Sequence, residues 1–96
     1  MDTFVVECYW PGLSEDEALA VLSHVADLAA GASSGDSARS LGCILLPSDG
    51  MAMFLFCAPN EAVVREIGRR ALVPFDRIIR SIHIWSSHQH PMRAEL

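Results

Sequence analysis

The sequence predicts an α+β domain of six elements in the order β-α-β-β-α-β, with a four-stranded antiparallel sheet and two helices on one face. Three observations carry this. Residues 3–10, 39–47, 51–58 and 77–85 are rich in β-branched, aromatic and other apolar side chains over strand-like lengths. Residues 15–30 and 61–71 repeat their apolar positions with helical period and follow capping residues. Turn-forming residues separate the segments. The order is that of the split-βαβ, ferredoxin-like pattern, and its usual strand order, 4-1-3-2, places the first and third strands at the centre.

Each element has its own signal. The first strand, "TFVVECYW", is broken by Pro11 and Gly12. Ser14 is then a natural N-cap, with Glu17 placed to complete a capping box. Ala18, Val21, Leu22, Val25, Leu28 and Ala29 form the apolar stripe of the first helix. "GASSGDS" at 31–37 reads as a flexible loop. "RSLGCILLP" is the second strand and "SDG" a turn. "MAMFLFCA" is the third strand, stopped by Pro59, with Asn60 as cap of the second helix. That helix buries Val63, Val64, Ile67 and Ala71 and pairs Glu61 with Arg65 and Glu66 with Arg70 outside. "VPFD" ends it, "RIIRSIHIW" is the fourth strand, and 88–96 is a polar tail to a single domain of 1–87.

Composition narrows the function classes. The formal charge is −5 and every basic residue is an arginine. With no basic run, the chain is poorly suited to duplex DNA or an anionic membrane. Residues 1–50 hold eight acids against the single Arg39, and residues 51–96 hold four acids against six arginines, an asymmetry that suits antiparallel docking of two copies. No signal peptide or membrane-spanning run is apparent. Cys8, Cys43 and Cys57, odd in number and set in apolar strands, read as buried thiols in a reducing cytoplasm.

The pattern of the third strand points toward function. Met51, Met53, Leu55 and Cys57 face one way, and Ala52, Phe54 and Phe56 the other. A sheet wet on one side alternates polar with apolar; this strand is apolar on both. The face left bare by the helices therefore needs cover, by a second copy in a homodimer or by a small hydrophobic ligand. On the first strand Glu7 and Tyr9 fall on that open face, and on the fourth Ile82 and Ile84 are assigned to the core, which turns His83 and Trp85 to the open side. This places Glu7 beside His83. An unpaired buried carboxylate is costly, so Glu7 is expected to bond to His83, Arg80, a metal, or a group from the other subunit.

Histidines 83, 88 and 90 suggest a second chemistry, since imidazole nitrogens bind Ni²⁺, Cu²⁺ or Zn²⁺. Their spacing matches no closed zinc module, and a solvated tail is the plainer reading of His88 and His90. The surface group Glu17, His24 and Asp27 reads as a solvated helix face, and Met51 with Met53 as packing. The cysteines form no C-x-x-C pair. No nucleophile elbow, P-loop or dinucleotide fingerprint is present. Glu7 and His83 as an acid–base pair would be chemically reasonable, but names no substrate.

The segments "FVVECYWPGLSEDE" and "CAPNEAVVREIGRRALVPFDRII" resemble those of a small bacterial family of unknown function. The resemblance lies in Glu7, Trp10, Pro11 and Gly12; in Ala58, Pro59, Glu61, Ala62, Val63, Arg65 and Glu66; and in Pro74, Asp76 and Ile78. It implies a ferredoxin-like dimer, with a nickel-binding protein among the members, and carries only Glu7 over as a site residue. Members often have an arginine at the position of Cys8, an acid at that of Cys57, and a histidine in the second helix, where Ile67 and Gly68 stand here. The expectation is a cytoplasmic dimeric binding protein whose family-implied ligand is nickel or another divalent transition metal, with Glu7, His83, His88 and His90 as metal ligands and Glu7, Tyr9, His83 and Trp85 lining the site. Two alternatives stand beside it: a dimeric α+β-barrel enzyme or binding protein for an aromatic or polyketide-like ligand, and a structural or regulatory interaction module.

Overall fold

The computed structural model describes residues 1–31 and 38–84. Its elements are β1 (Asp2–Tyr9), α1 (Glu15–Ala30), β2 (Arg39–Leu46), a short 3-10 turn (Pro47–Asp49), β3 (Met51–Ala58), α2 (Glu61–Ala71) and β4 (Arg77–Ser81). The sheet is antiparallel, in the order β2-β3-β1-β4. This is the expected ferredoxin-like fold, with β1 and β3 at the centre. The loop at 31–37, apart from Gly31, and the tail from residue 85 lie outside the described residues.

The helix starts follow their sequence signals. The Ser14 hydroxyl accepts the Glu17 N–H at 3.1 Å, and the Glu17 carboxylate accepts the Ser14 N–H at 2.9 Å. The Ser14 backbone N–H, and after it the Ser14 side chain, hold the Glu17 carboxyl below the usual carboxylate range. Asn60 caps α2 by accepting the Val63 N–H at 3.1 Å. On α2's outer side Glu61 pairs with Arg65, and Glu66 with Arg69 and Arg70. The C-terminus of α2 is unusual: Leu72 takes a left-handed conformation, φ 59°, that normally falls to glycine.

The core lies between the helices and one face of the sheet. Phe4, Val6 and Cys8 of β1 and Ala52, Phe54, Phe56 and Ala58 of β3 are buried against Ala18, Val25 and Ala29 of α1 and Val64 and Ile67 of α2. Phe75 extends this layer, with its ring 6.3 Å from Phe54 and 5.9 Å from Phe56. Gly68 allows that packing: a Cβ there would lie 2.4 Å from the Phe75 ring. A side chain as large as histidine would have no room at Gly68 with Phe75 so placed.

Several strand ends differ from expectation: β1 is shifted by one residue, to Asp2–Tyr9 from 3–10. Pro47 leaves β2 for the 3-10 turn, where its missing N–H costs no ladder bond. β4 stops at Ser81 rather than 85, because β1 runs out of partners: Thr3 already pairs with Ser81. Ile82 and Ile84, assigned to the core from their parity, are instead 74% and 91% exposed. The core-side isoleucine of β4 is Ile78.

Candidate functional site

Cross-strand register defines the open face. Val5 pairs with Leu55 on one side and Ile79 on the other, and Ile44 pairs with Met53. With Met51, Leu46 and Cys57 on the same face, these side chains make an apolar surface spanning all four strands. Most are only partly covered by their neighbours. The β2 edge of the face bends at a bulge between Ser40 and Gly42, where Gly42 takes φ 140°.

Glu7 and Tyr9 lie on this face, as predicted. Glu7 stands between Met53 on β3 and Arg77 on β4. Its Oε1 is 3.9 Å from Arg77 Nη1, and its side chain is partly buried. Tyr9, opposite Met51, is 64% exposed. The expected contact between Glu7 and His83 is not formed. Glu7 pairs near the start of β4, whereas His83 follows its end, six residues further on and roughly 20 Å along an extended chain. Arg80 does not reach Glu7 either; it pairs with Phe4, and its Nε lies 3.5 Å from Asp2 Oδ2. Trp85, His88 and His90 lie outside the described residues.

Sequence reasoning missed the role of Asp76. Its Oδ2 accepts the Tyr9 N–H at 2.6 Å, while its own N–H donates to the Glu7 carbonyl at 3.0 Å. This clasp fixes the start of β4 against the end of β1 and so sets Arg77 beside Glu7. It gives a physical reason for aspartate in the Pro74-x-Asp76-x-Ile78 stretch. Arg77 and Ile79 were also missed as open-face residues; their parity with Ser81 and opposite to Ile78 was the available signal.

Of the residues expected to hold a metal, only Glu7 and His83 are among the described residues, and they stand apart. The Glu7 carboxylate pairs with a cation, Arg77, and among the described residues no three His, Cys, Asp or Glu side chains come together. Burial pushes the Cys8 thiol up to about 12, with the charges of Asp76 and Cys43 adding to the effect. Burial also raises Cys43, against a smaller opposing effect of a hydrogen bond from the Met53 backbone. Both therefore stay protonated at neutral pH and are poor nucleophiles. Glu17, His24 and Asp27 are exposed on α1.

No family model matches the sequence, and no curated protein matches it. A solved structure is similar in fold. SCO4226 from Streptomyces coelicolor A3(2) superposes with a TM-score of 0.76 over 86% of this chain and 99% of that one, at 14% identity. The two share the fold. Among the described residues, no helix is long and apolar enough to cross a membrane.

Proposed function

We propose that the protein is a homodimeric binding protein of the cytoplasm, in which the open faces of two sheets pack together and enclose the binding space between them. One observation supports this above others: the sheet is apolar across all four strands on the face its own helices do not cover. Four strands about 4.8 Å apart and up to eight residues long at about 3.3 Å each present roughly 500 Å². Two such faces together reach about 1,000 Å², the lower bound of a specific interface. Leaving that surface in water would forgo about 25 cal/mol per Å² of apolar area. Glu7 and Arg77 then form one polar corner of a mostly apolar enclosure, with Thr3, Ser81 and Arg39 at its other end, a composition suited to a small hydrophobic ligand with a polar group. The three free cysteines suit a reducing compartment.

Sedimentation equilibrium tests the dimer. The wild-type chain is expected to be dimeric at micromolar concentration, and Leu55→Arg to be monomeric with unchanged circular dichroism. A wild-type monomer at that concentration would end the proposal. Nickel is the first ligand to try, on the strength of the family resemblance. Calorimetric titration with Ni²⁺ of wild type and Glu7→Gln decides it: no heat in wild type removes the metal and leaves the dimer intact.

A further inference from the structure

We infer that the segment after β4, residues 82–84 of one copy, adds to the outer edge of β2 in a second copy and seats Ile82 and Ile84 in a groove between α1 and β2. This rests on the dimer proposed above and deepens it, since the open faces alone do not involve this groove, which lies on the helix side of the sheet.

The groove comes first. It holds about 350 Å³ and is lined by Ala18, Leu19 and Leu22 of α1, Cys43 and Leu45 of β2, and Pro47. At about 30 Å³ per water-sized volume it has room for the eight side-chain carbons of two isoleucines. Its floor strand is a sheet edge. The bulge and the charge of β2 sit at its start, at Arg39 and between Ser40 and Gly42; beyond them Cys43, Ile44, Leu45 and Leu46 carry no charge and no proline, and this stretch is open to strand addition. Leu19 and Leu41 are 56% and 45% exposed beside it.

The second observation is the occupant. Ile82 and Ile84 are among the most exposed large apolar side chains of the described chain. They are two residues apart, so in strand geometry both point to one side. A strand laid along β2 would present both to the groove and use the unpaired backbone groups of the edge, the mode of recognition by β-augmentation.

Strand order identifies the source of that strand. β2 and β4 are opposite edges of the sheet, with β3 and β1 between them. Three spacings of about 4.8 Å separate them, and the sheet's own core fills the route, so a chain cannot place its own residues 82–84 in its own groove. A second copy related by a two-fold axis can, and the exchange is then reciprocal. With the two isoleucines turned to the helix side, alternation turns His83 to the open-face side, into the space between the two sheets. The enclosure then gains a histidine from the opposite subunit.

Disulfide trapping tests this with the full chain. Cys8→Ala and Cys57→Ala leave Cys43 as the one native thiol, and Ile82→Cys or Ile84→Cys is added in turn. Mild oxidation with diamide is expected to give a covalent dimer with at least one of the two, lost on Cys43→Ala and absent from a Leu72→Cys control. A sedimentation dimer with no Cys43-dependent cross-link from either position overturns the inference and leaves face-to-face packing standing. A monomer overturns both. In the otherwise native chain, Ile82→Asp with Ile84→Asp is expected to weaken dimerisation at least tenfold while leaving circular dichroism unchanged. An unchanged dissociation constant would count against the inference even if the cysteine variants fail to fold.

Discussion

β3 carries two apolar faces with different fates. Ala52, Phe54, Phe56 and Ala58 are completely buried, whereas Met51, Met53, Leu55 and Cys57 on the same eight residues are only partly covered. Hydropathy does not distinguish the two sets; the positions of the helices do. α1 and α2 each have one apolar stripe, and both stripes are spent on the same side of the sheet. A strand that is apolar on both sides in a two-layer fold therefore reports on something beyond the subunit. That difference between neighbouring residues is the basis of the proposed dimer.

The comparison is broken most directly by truncating one residue on each face. Phe54→Ala removes a fully buried ring stacked on Phe75. It is expected to cost about 3–5 kcal/mol, enough to unfold much of a domain this small. Leu55→Ala, one residue away, removes a side chain that the helices never reach. In urea titrations its penalty is expected to grow with protein concentration, because only the associated form buries it. If Leu55→Ala costs as much as Phe54→Ala at every concentration, the two faces are equivalent in the isolated subunit and the contrast fails.

How much of this could be read in advance follows the range of each interaction. Helix caps are local, and Ser14, Glu17 and Asn60 declared themselves within three residues. The order of elements and the pairing of β1 with β3 follow from a common topology. The parity of β1 was legible too, because Phe4, Val6 and Cys8 are uniformly apolar. β4 was not. Its sequence "RIIRSIHIW" has isoleucines on both parities, and nothing local says where β1 will run out of partners. Parity places His83 on the side of Glu7, but parity does not set register, and the residue opposite Glu7 is Arg77. The Asp76 clasp joins residues 67 apart in sequence, and a lone aspartate before a strand reads as a turn residue.

That clasp sharpens the comparison at the open face's polar corner. Asp76→Ala removes a carboxylate that accepts a backbone N–H, and hydrogen bonds to charged groups contribute about 1.5–3 kcal/mol. Asp76 is exposed, so water will satisfy part of the loss. The expected cost is about 1–2 kcal/mol, with faster amide exchange at Tyr9 and along β4 and little change in α1. The helix-covered core should keep its protection. Uniform loss of protection across both layers would show that β4 and the core open as one unit, and that Asp76 is not a local fastener of the Glu7–Arg77 corner.

The smallest effect concerns the helix that makes one face different from the other. α2 ends at Leu72, whose φ of 59° places its Cβ against the following carbonyl. The side chain is 90% exposed, so little burial offsets that strain. Leu72→Gly therefore removes a conformational cost of about 1 kcal/mol and gives up almost no packing. A gain of that size would raise the melting temperature by about 4–8 °C in a domain of this length, and Leu72→Ala, which keeps a Cβ, should gain little. The Leu72 N–H still donates to the Arg69 carbonyl and the Val73 N–H to that of Gly68, so the helix end itself is unchanged by either substitution. A stabilised α2 holds Val64 and Ile67 more firmly on the sheet but does not touch Leu55 or Ile79. The gain should accordingly appear in subunit stability at low concentration and leave the dimer dissociation constant where it was. If Leu72→Gly shifts that constant instead, the exposed leucine belongs to an interface and the helix layer is not the free outer surface of the molecule.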